Sequence, residues 1–193
     1  GQRVALLGRR GAGKSTLLAA IRQALLDRGL RVALVPQDHA LVPQLSALHN
    51  VLMGRLDDHG ALYNLATLIR PRRTDRAAAL KVLARVGLTP EAERPVEALS
   101  GGQKQRVALA RALYRGGDVL VADEPLSAVD PVQAQALAGL IGTTFPTSIL
   151  ALHDVSVALT FATRLIGLDG GRIALDMPAQ DAKTAAIEAL YAR

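Results

Sequence analysis

Gly8-Arg9-Arg10-Gly11-Ala12-Gly13-Lys14-Ser15, followed by Thr16, is the stretch from which the rest of the chain can be read. It fits the pattern G-x-x-x-x-G-K-[ST], and its flanks carry as much information as the match. Val4-Ala5-Leu6-Leu7 before it is a short apolar run, the pattern of a strand buried on both faces. Beyond it, Thr16 to Ile21 opens a predicted amphipathic helix with Leu17, Leu18, Ile21 and Leu25 on one face. Strand, glycine-rich loop and helix is the setting in which this motif binds a phosphate chain. The glycines Gly8, Gly11 and Gly13 let the backbone close around phosphate with successive N–H groups pointing inward. The helix N-terminus adds partial positive charge. Lys14 then reaches the β- and γ-phosphates, and the Ser15 hydroxyl ligates Mg²⁺. Ala12 and Thr16 complete the predicted phosphate-contacting set. A glycine-rich turn that binds nothing is the plainer alternative, and the flanking strand and helix argue against it.

Further along, apolar strand patterns end in polar residues. Arg31–Val35 ends at Pro36-Gln37-Asp38, Val119–Ala122 at Asp123-Glu124-Pro125, and Ser148–Leu152 at His153-Asp154. In an open parallel sheet the ligand lies outside the carboxyl ends of the strands. Asp123 is therefore a candidate to hold Mg²⁺, and Glu124 to orient or deprotonate an attacking water. Gln37 reads equally well as a ligand of the metal or water and as an ordinary loop residue. His153 is placed to contact a γ-phosphate, although a lone histidine is more often structural.

Between Pro43 and Pro95 the pattern changes to helices: Leu45–Leu52, Ala61–Ile69 and Asp75–Val86, the last preceded by the basic turn Arg70–Arg76. This turn reads as solvated surface or as a docking patch. Leu99-Ser100-Gly101-Gly102-Gln103 then leads into a helix starting near Gly101, with Val107, Ala110 and Leu113 at helical spacing. Serine, paired glycines and a fresh helix N-terminus form a second anion-binding device, or a mere N-cap. Two such devices suggest a site completed by a second copy. Ser127–Asp130 forms a turn before a helix from Pro131 to about Ile141. Helix Val155–Ala162, a hairpin about Asp169-Gly170-Gly171 and a terminal helix over Ala179–Tyr191 finish the chain. The expected organisation is one nucleotide-binding domain over residues 1–193, with a helical subdomain of about 43–115 inserted in it.

Composition narrows the classes. The 193 residues suffice for one sizeable core, and the absence of cysteine excludes disulfides, thiolate metal sites and cysteine nucleophiles. No apolar run approaches the ~20 residues needed to span a bilayer. The first residues run straight into a strand, a reading with no signal peptide. The net charge of +6 comes from basic residues spread along the chain without aromatic neighbours, which does not favour nucleic acid as a partner.

With Gly8–Ser15, Gln37, Leu99–Gln103, Asp123-Glu124, Ser127–Asp130 and His153 in this order, the chain resembles the ATP-binding subunits of ABC transporters. The resemblance covers nearly the whole length, and Leu-Ser-Gly-Gly-Gln upstream of the Asp-Glu strand is its most specific part. It implies an α/β P-loop NTPase fold with a mostly parallel sheet and a helical insertion. It also implies a head-to-tail homodimer sandwiching two ATP molecules with Mg²⁺. Ser100, Gly101, Gly102 and Gln103 of one copy would then meet the nucleotide held by Lys14 of the other. Asp130 would lie at the seam and His153 would clamp the γ-phosphate. Gln37 and the insertion would transmit closure to two membrane permease subunits, themselves served by an external binding protein. The chain would sit peripherally on the cytoplasmic face of the inner membrane. Asn50–Leu56 and the stretch from Ala79 to Leu88 resemble the phosphonate-import branch.

Three features depart from the family pattern. The chain begins at the P-loop strand, without the preceding strands and the aromatic residue that stacks on adenine. About two dozen residues separate Lys14 from Gln37, so the family's antiparallel β subdomain is expected to be reduced or missing. Arg9 and Arg10 stand where the family more often has proline and a small polar residue, placed either near the phosphates and a partner's Asp130 or in solvent. Two rival functions keep the motifs: a soluble ABC-type ATPase acting on nucleic acid or ribosomes, and a truncated, non-hydrolysing cassette that binds a partner.

Overall fold

The computed structural model describes residues 1–182 together with Ile187, Leu190 and Tyr191. The chain folds as two compact units, one formed by residues 1–37 and 117–193, the other by 38–116.

The first unit is built on a six-stranded sheet in the order β2-β3-β4-β1-β5-β6. Its strands are β1 (Arg3–Leu7), β2 (Val32–Val35), β3 (Val119–Asp123), β4 (Ser148–Ala151), β5 (Arg164–Asp169) and β6 (Arg172–Pro178). All neighbours pair in parallel except β5 and β6, which form an antiparallel hairpin. The β-strand propensity of Val, Leu and Ile and burial on both faces explain why β1, β3 and β4 lack polar alternation. Helix α1 (Lys14–Asp27) covers one face, where Leu18 packs with Val4, Leu6, Val32, Val119 and Val121. Right-handed crossovers fix the side of each helix. The chain moves one way along the sheet from β1 to β2 through α1. It moves the opposite way from β3 to β4 through α6 (Pro131–Thr144) and from β4 to β5 through α7 (Val155–Phe161). The helices α6 and α7 therefore cover the other face, and the connections from β1 and its neighbour β4 leave for opposite faces of the sheet. Such a divergence opens a crevice at the carboxyl edge.

The second unit, among the described residues, is helical: α2 (Ala47–Leu52), α3 (Ala61–Ile69), α4 (Arg73–Arg85) and α5 (Gly101–Arg115), with short 3₁₀ segments at Met53–Asp58 and Val96–Ala98. Leu48, Val51, Leu83, Leu88, Val107 and Leu109 form its interior. Asn50 is fully buried there, and its amide is satisfied by Val42 N–H and by the carbonyls of Val42, Leu45 and Ser46. Helix α3 buries none of its residues, and Leu62 and Ile69 are 86% and 79% exposed.

Several boundaries differ from the sequence reading. α1 begins at Lys14 rather than Thr16, because left-handed Gly13 already turns the chain into the helix. α4 begins at Arg73, so the basic turn is partly helical, which the rigid φ of Pro71 just upstream permits. α6 continues past Ile141 to Thr144, where Thr144 Oγ1 donates back to the Leu140 carbonyl. The expected terminal helix over Ala179–Tyr191 starts as a 3₁₀ turn at Ala179–Asp181, and most of the rest lies outside the described residues.

Candidate functional site

Gly8, Gly11 and Gly13 all have positive φ, at 141°, 83° and 97°. Only glycine takes such values cheaply, and the three together wrap the loop between β1 and α1. At Gly8 the need is also spatial, since a Cβ would lie 2.4 Å from the carbonyl oxygen of Leu168. Gly13 caps α1 without a side-chain hydrogen bond, which leaves the first N–H groups of the helix open to an anion. Among the described residues no side chain caps them.

Lys14 is buried, and its ammonium curls back to donate to the carbonyls of Gly8 (2.8 Å) and Arg9 (3.1 Å). Burial lowers its pKa from the ordinary lysine value, and the charges of Glu124 and Asp123 oppose that shift. The ammonium is thus held at the mouth of the loop by neutral carbonyls that an arriving phosphate can replace. Ser15 and Thr16 are exposed at the start of α1, as are Arg9 and Arg10 in the loop. The hairpin and the chain end brace the loop from behind. Gly171 N–H donates to the Ala12 carbonyl (3.2 Å), and Gly8 N–H to the Tyr191 hydroxyl (3.2 Å).

The carboxyl edge of the sheet aligns the other candidates. Asp123 pairs in register with Ala151, and Ala151 with Leu6, while Val35 pairs with Ala122. Gln37 and Glu124 each stand two residues beyond the paired Val35 and Ala122, so they leave the sheet at one level. His153 and Gly8 each stand two residues beyond the paired Ala151 and Leu6. Four segments distant in sequence therefore end in one row. Glu124 has φ 51°, an uncommon conformation for a residue with a side chain, and its N–H donates to the Ala151 carbonyl (3.1 Å). Its Oε1 lies 2.5 Å from His153 Nε2, a carboxylate–imidazole hydrogen bond whose proton position depends on the tautomer. A cavity of about 310 Å³ opens beside this pair, walled by Leu126, Val129, Leu152 and Val157. Gln37 is exposed. Asp130 is exposed and caps α6 by accepting from Gln133 N–H (2.9 Å).

Ser100–Gln103 belongs to the other unit. Ser100 caps α5: its Oγ accepts from Gln103 N–H (3.2 Å), while Gln103 Oε1 accepts from Ser100 N–H (2.9 Å). This reciprocal capping box makes the N-cap alternative real. Ser100 and Gly101 are exposed nonetheless, and Gly101 has open space where a Cβ would project.

The donor set fits Mg²⁺ bound with a nucleotide. Ser15 and Asp123 offer hard oxygens beside a phosphate cradle, and such an ion keeps several of its waters. Among the described residues no cluster of three acidic or histidine side chains could hold a metal unaided. Sequence reasoning missed the left-handed Glu124, the Tyr191 contact and the Gly171 brace. Pro125 following Glu124 marks a turn, which is the only local hint of the first. The other two join residues too far apart for any local signal.

Residues 1–127 match the family model described as "ABC transporter". The phosphonates import ATP-binding protein PhnC 1 of Trichodesmium erythraeum (strain IMS101) is 37% identical over 221 residues, covering 99% of this chain and 84% of that protein. The phosphite import ATP-binding protein PxtA of Stutzerimonas stutzeri is 37% identical over 216 residues, covering 100% and 78%. Among solved structures, the dimeric bacterial ABC transporter cassette MJ0796 aligns at a TM-score of 0.77 with 28% identity, over 92% of this chain and 85% of that one. The same cassette as a dimer in a post-hydrolysis state with ADP and Pi gives 0.73 at the same identity and coverage.

Proposed function

The chain belongs to the ABC transporter family, as an ATP-binding subunit, and from that premise we propose that it hydrolyses ATP to drive import of a phosphonate or a related phosphorus oxyanion. The observation that carries the ATPase reading is the row of strand ends. It lines up the glycine loop with Lys14, the Asp123-Glu124 pair and His153 at the crevice between β1 and β4. Lys14, freed from the Gly8 and Arg9 carbonyls, neutralises charge on the transferred phosphoryl group. Glu124 polarises the water for in-line attack, which requires its carboxylate to share or exchange the His153 contact. His153 is then available to the γ-phosphate. Ser15 and Asp123 would hold Mg²⁺, with Gln37 reaching it or the water; when bound, the ion supplies further neutralisation of developing charge.

We place the active assembly as a homodimer in which Ser100–Gln103 of one copy closes on the nucleotide of the other, with Asp130 at the seam. The dimeric cassettes to which the chain is similar support this reading. Two permease subunits are the proposed membrane partners. Among the described residues no helix is long and apolar enough to cross a membrane. A groove of about 450 Å³ in the helical unit, lined by Leu52, Met53, Leu56, Leu65 and Leu68, supports docking of a permease segment there. We take the 38–116 unit as the helical insertion of a single nucleotide-binding domain.

The cargo rests on the phosphonate and phosphite import names of the relatives, because ATP-binding subunits do not touch cargo. Deleting the gene in cells that retain orthophosphate uptake should abolish growth on a phosphonate or phosphite as sole phosphorus source. Unchanged growth and unchanged labelled uptake of both, with no redundant importer, would remove the cargo assignment and leave the ATPase.

A further inference from the structure

Gly8, the first residue of the glycine loop, is held at both of its backbone groups, and the two holds differ. Its carbonyl accepts from the Lys14 ammonium at 2.8 Å, a contact that must break when Lys14 turns to a phosphate. Its N–H donates to the Tyr191 hydroxyl at 3.2 Å, which comes from the far end of the chain. The φ and ψ of Gly8 are the hinge between the two peptides so held. With φ at 141° and no Cβ, this hinge can turn where another residue could not.

Tyr191 is fixed in turn by its neighbours. Leu190 is buried over Gly167 of β5, where a Cβ would stand 2.5 Å and 3.0 Å from its two Cδ atoms, so the socket requires glycine. Leu190 N–H donates to the carbonyl of Ile187 at 3.0 Å, and Ile187 is fully buried. Gly167 pairs in register with Leu7, the residue before Gly8. A buried isoleucine and leucine thus deliver a half-buried tyrosine to the root of the loop. All of these residues belong to the unit of 1–37 and 117–193.

We infer that Tyr191 is a positioning residue for nucleotide binding, its hydroxyl holding Gly8 while Lys14 changes partner. The inference rests on the reading above, in which this loop binds ATP. When a phosphate takes the ammonium, the peptide after Gly8 is released and the peptide before it stays anchored. The loop N–H groups then keep their aim, and the nucleotide does not bear the cost of ordering them. Without the hydroxyl both sides of the hinge come free at the same step. The hold does not touch the reacting atoms, so its effect falls on binding and not on the chemical step.

The test is equilibrium titration of the full chain with a non-hydrolysable ATP analogue and Mg²⁺, together with ATPase kinetics and thermal melts. Tyr191→Phe keeps the ring and removes only the hydroxyl. It should raise the Kd and the KM for ATP about two- to tenfold, the effect of one hydrogen bond, with kcat within about twofold of the parent. Gly167→Ala displaces Leu190 and should raise the Kd by at least as much. Combining the two should weaken binding no further than Gly167→Ala alone, since residues acting through one another are not additive. A parent-like Kd in Tyr191→Phe, or losses that multiply in the double variant, would overturn the inference. So would a lowered melting temperature with the Kd unchanged, the mark of a merely structural contact. Should Gly167→Ala not fold, Leu190→Ala takes its place under the same criterion. Lys14→Ala is the control for the underlying reading. Parent-like binding in that variant would remove the loop as the nucleotide site. Lys14-dependent binding that ignores Tyr191→Phe would remove only the role of Tyr191.

Discussion

Two helix N-termini in this chain are built in opposite ways. α1 is capped by Gly13, left-handed and without a side chain, so its first N–H groups have no protein partner from the cap. α5 is capped by Ser100 in a closed box with Gln103, which satisfies donors at both positions. The first is prepared for an anion before any anion arrives, with a buried ammonium beside it. The second is stable as it stands, and Gly101 beside it leaves room for a close approach from outside. The difference fits the proposed assembly, in which one chain would form the first site and a second copy would close on the other.

The comparison breaks most severely if chemistry does not belong to the Gly13 side. Glu124→Gln should keep ATP binding and lose hydrolysis by ~10²–10⁴-fold, the range for a general base. Steady-state phosphate release in that variant is the measurement, and an ATP-bound dimer should accumulate on size exclusion. Mixing Lys14→Ala chains with Ser100→Arg chains should restore activity that neither variant has alone, because the heterodimer keeps one intact composite site. Failure to complement, with specific activity of the parent independent of concentration, would leave α5 an ordinary capped helix.

Glycine-by-glycine changes sharpen the contrast further. Gly13→Ala forces a Cβ into φ 97° beside Gly171 and should cost about 1–2 kcal/mol, roughly tenfold in ATP affinity on the proposal that this loop binds ATP. Gly101→Ala meets open space in a helical position, so its stability should stay within about 0.5 kcal/mol of the parent. Any fall in its ATPase then reports contact with a second copy. Ser100→Ala should lower stability by about 1 kcal/mol through loss of the cap, read from denaturant midpoints, while monomeric ATP binding is unchanged.

The smallest effect concerns protons. Burial holds the Lys14 pKa below its ordinary value in the free protein, with Glu124 and Asp123 opposing the shift. Bound phosphate favours the charged form and raises that pKa. Between the lowered and raised values, binding ATP must therefore take up a fraction of a proton at Lys14, and affinity must fall as pH rises through that window. Calorimetric titration at alkaline pH in two buffers of different ionisation enthalpy measures the uptake. Release of protons instead would contradict the sign. The same lowering means the unfolded chain binds more protons in that window, so this group makes stability rise with pH there.

Most of the candidate site was legible from local chemistry. The phosphate loop needs glycines at set spacing between an apolar strand and a helix, and the Asp123-Glu124 pair needs only an apolar run before it. The helical stretch between Pro43 and Pro95 was visible as a change of periodicity, yet α3, none of whose residues is buried, looked no different from a core helix. Periodicity records that one face is apolar and not what covers it. The Arg111 contacts were invisible for a related reason. Nothing around Arg111, His39 or Ala40 in sequence indicates that the Arg111 guanidinium donates to the carbonyls of two residues 72 and 71 positions away.

The sequence by itself determined the fold class, the strands that would be buried and the residue types offered at their ends. These depend on hydrophobic runs, glycine conformations and helix signals that act within a few residues. The tertiary structure alone decided that β1 lies between β4 and β5, that Asp123, Ala151 and Leu6 share a level, and that Glu124 turns left-handed against His153. Strand order and register come from packing helices on both faces of one twisted sheet. That is a long-range balance of burial and crossover handedness, which no local pattern encodes.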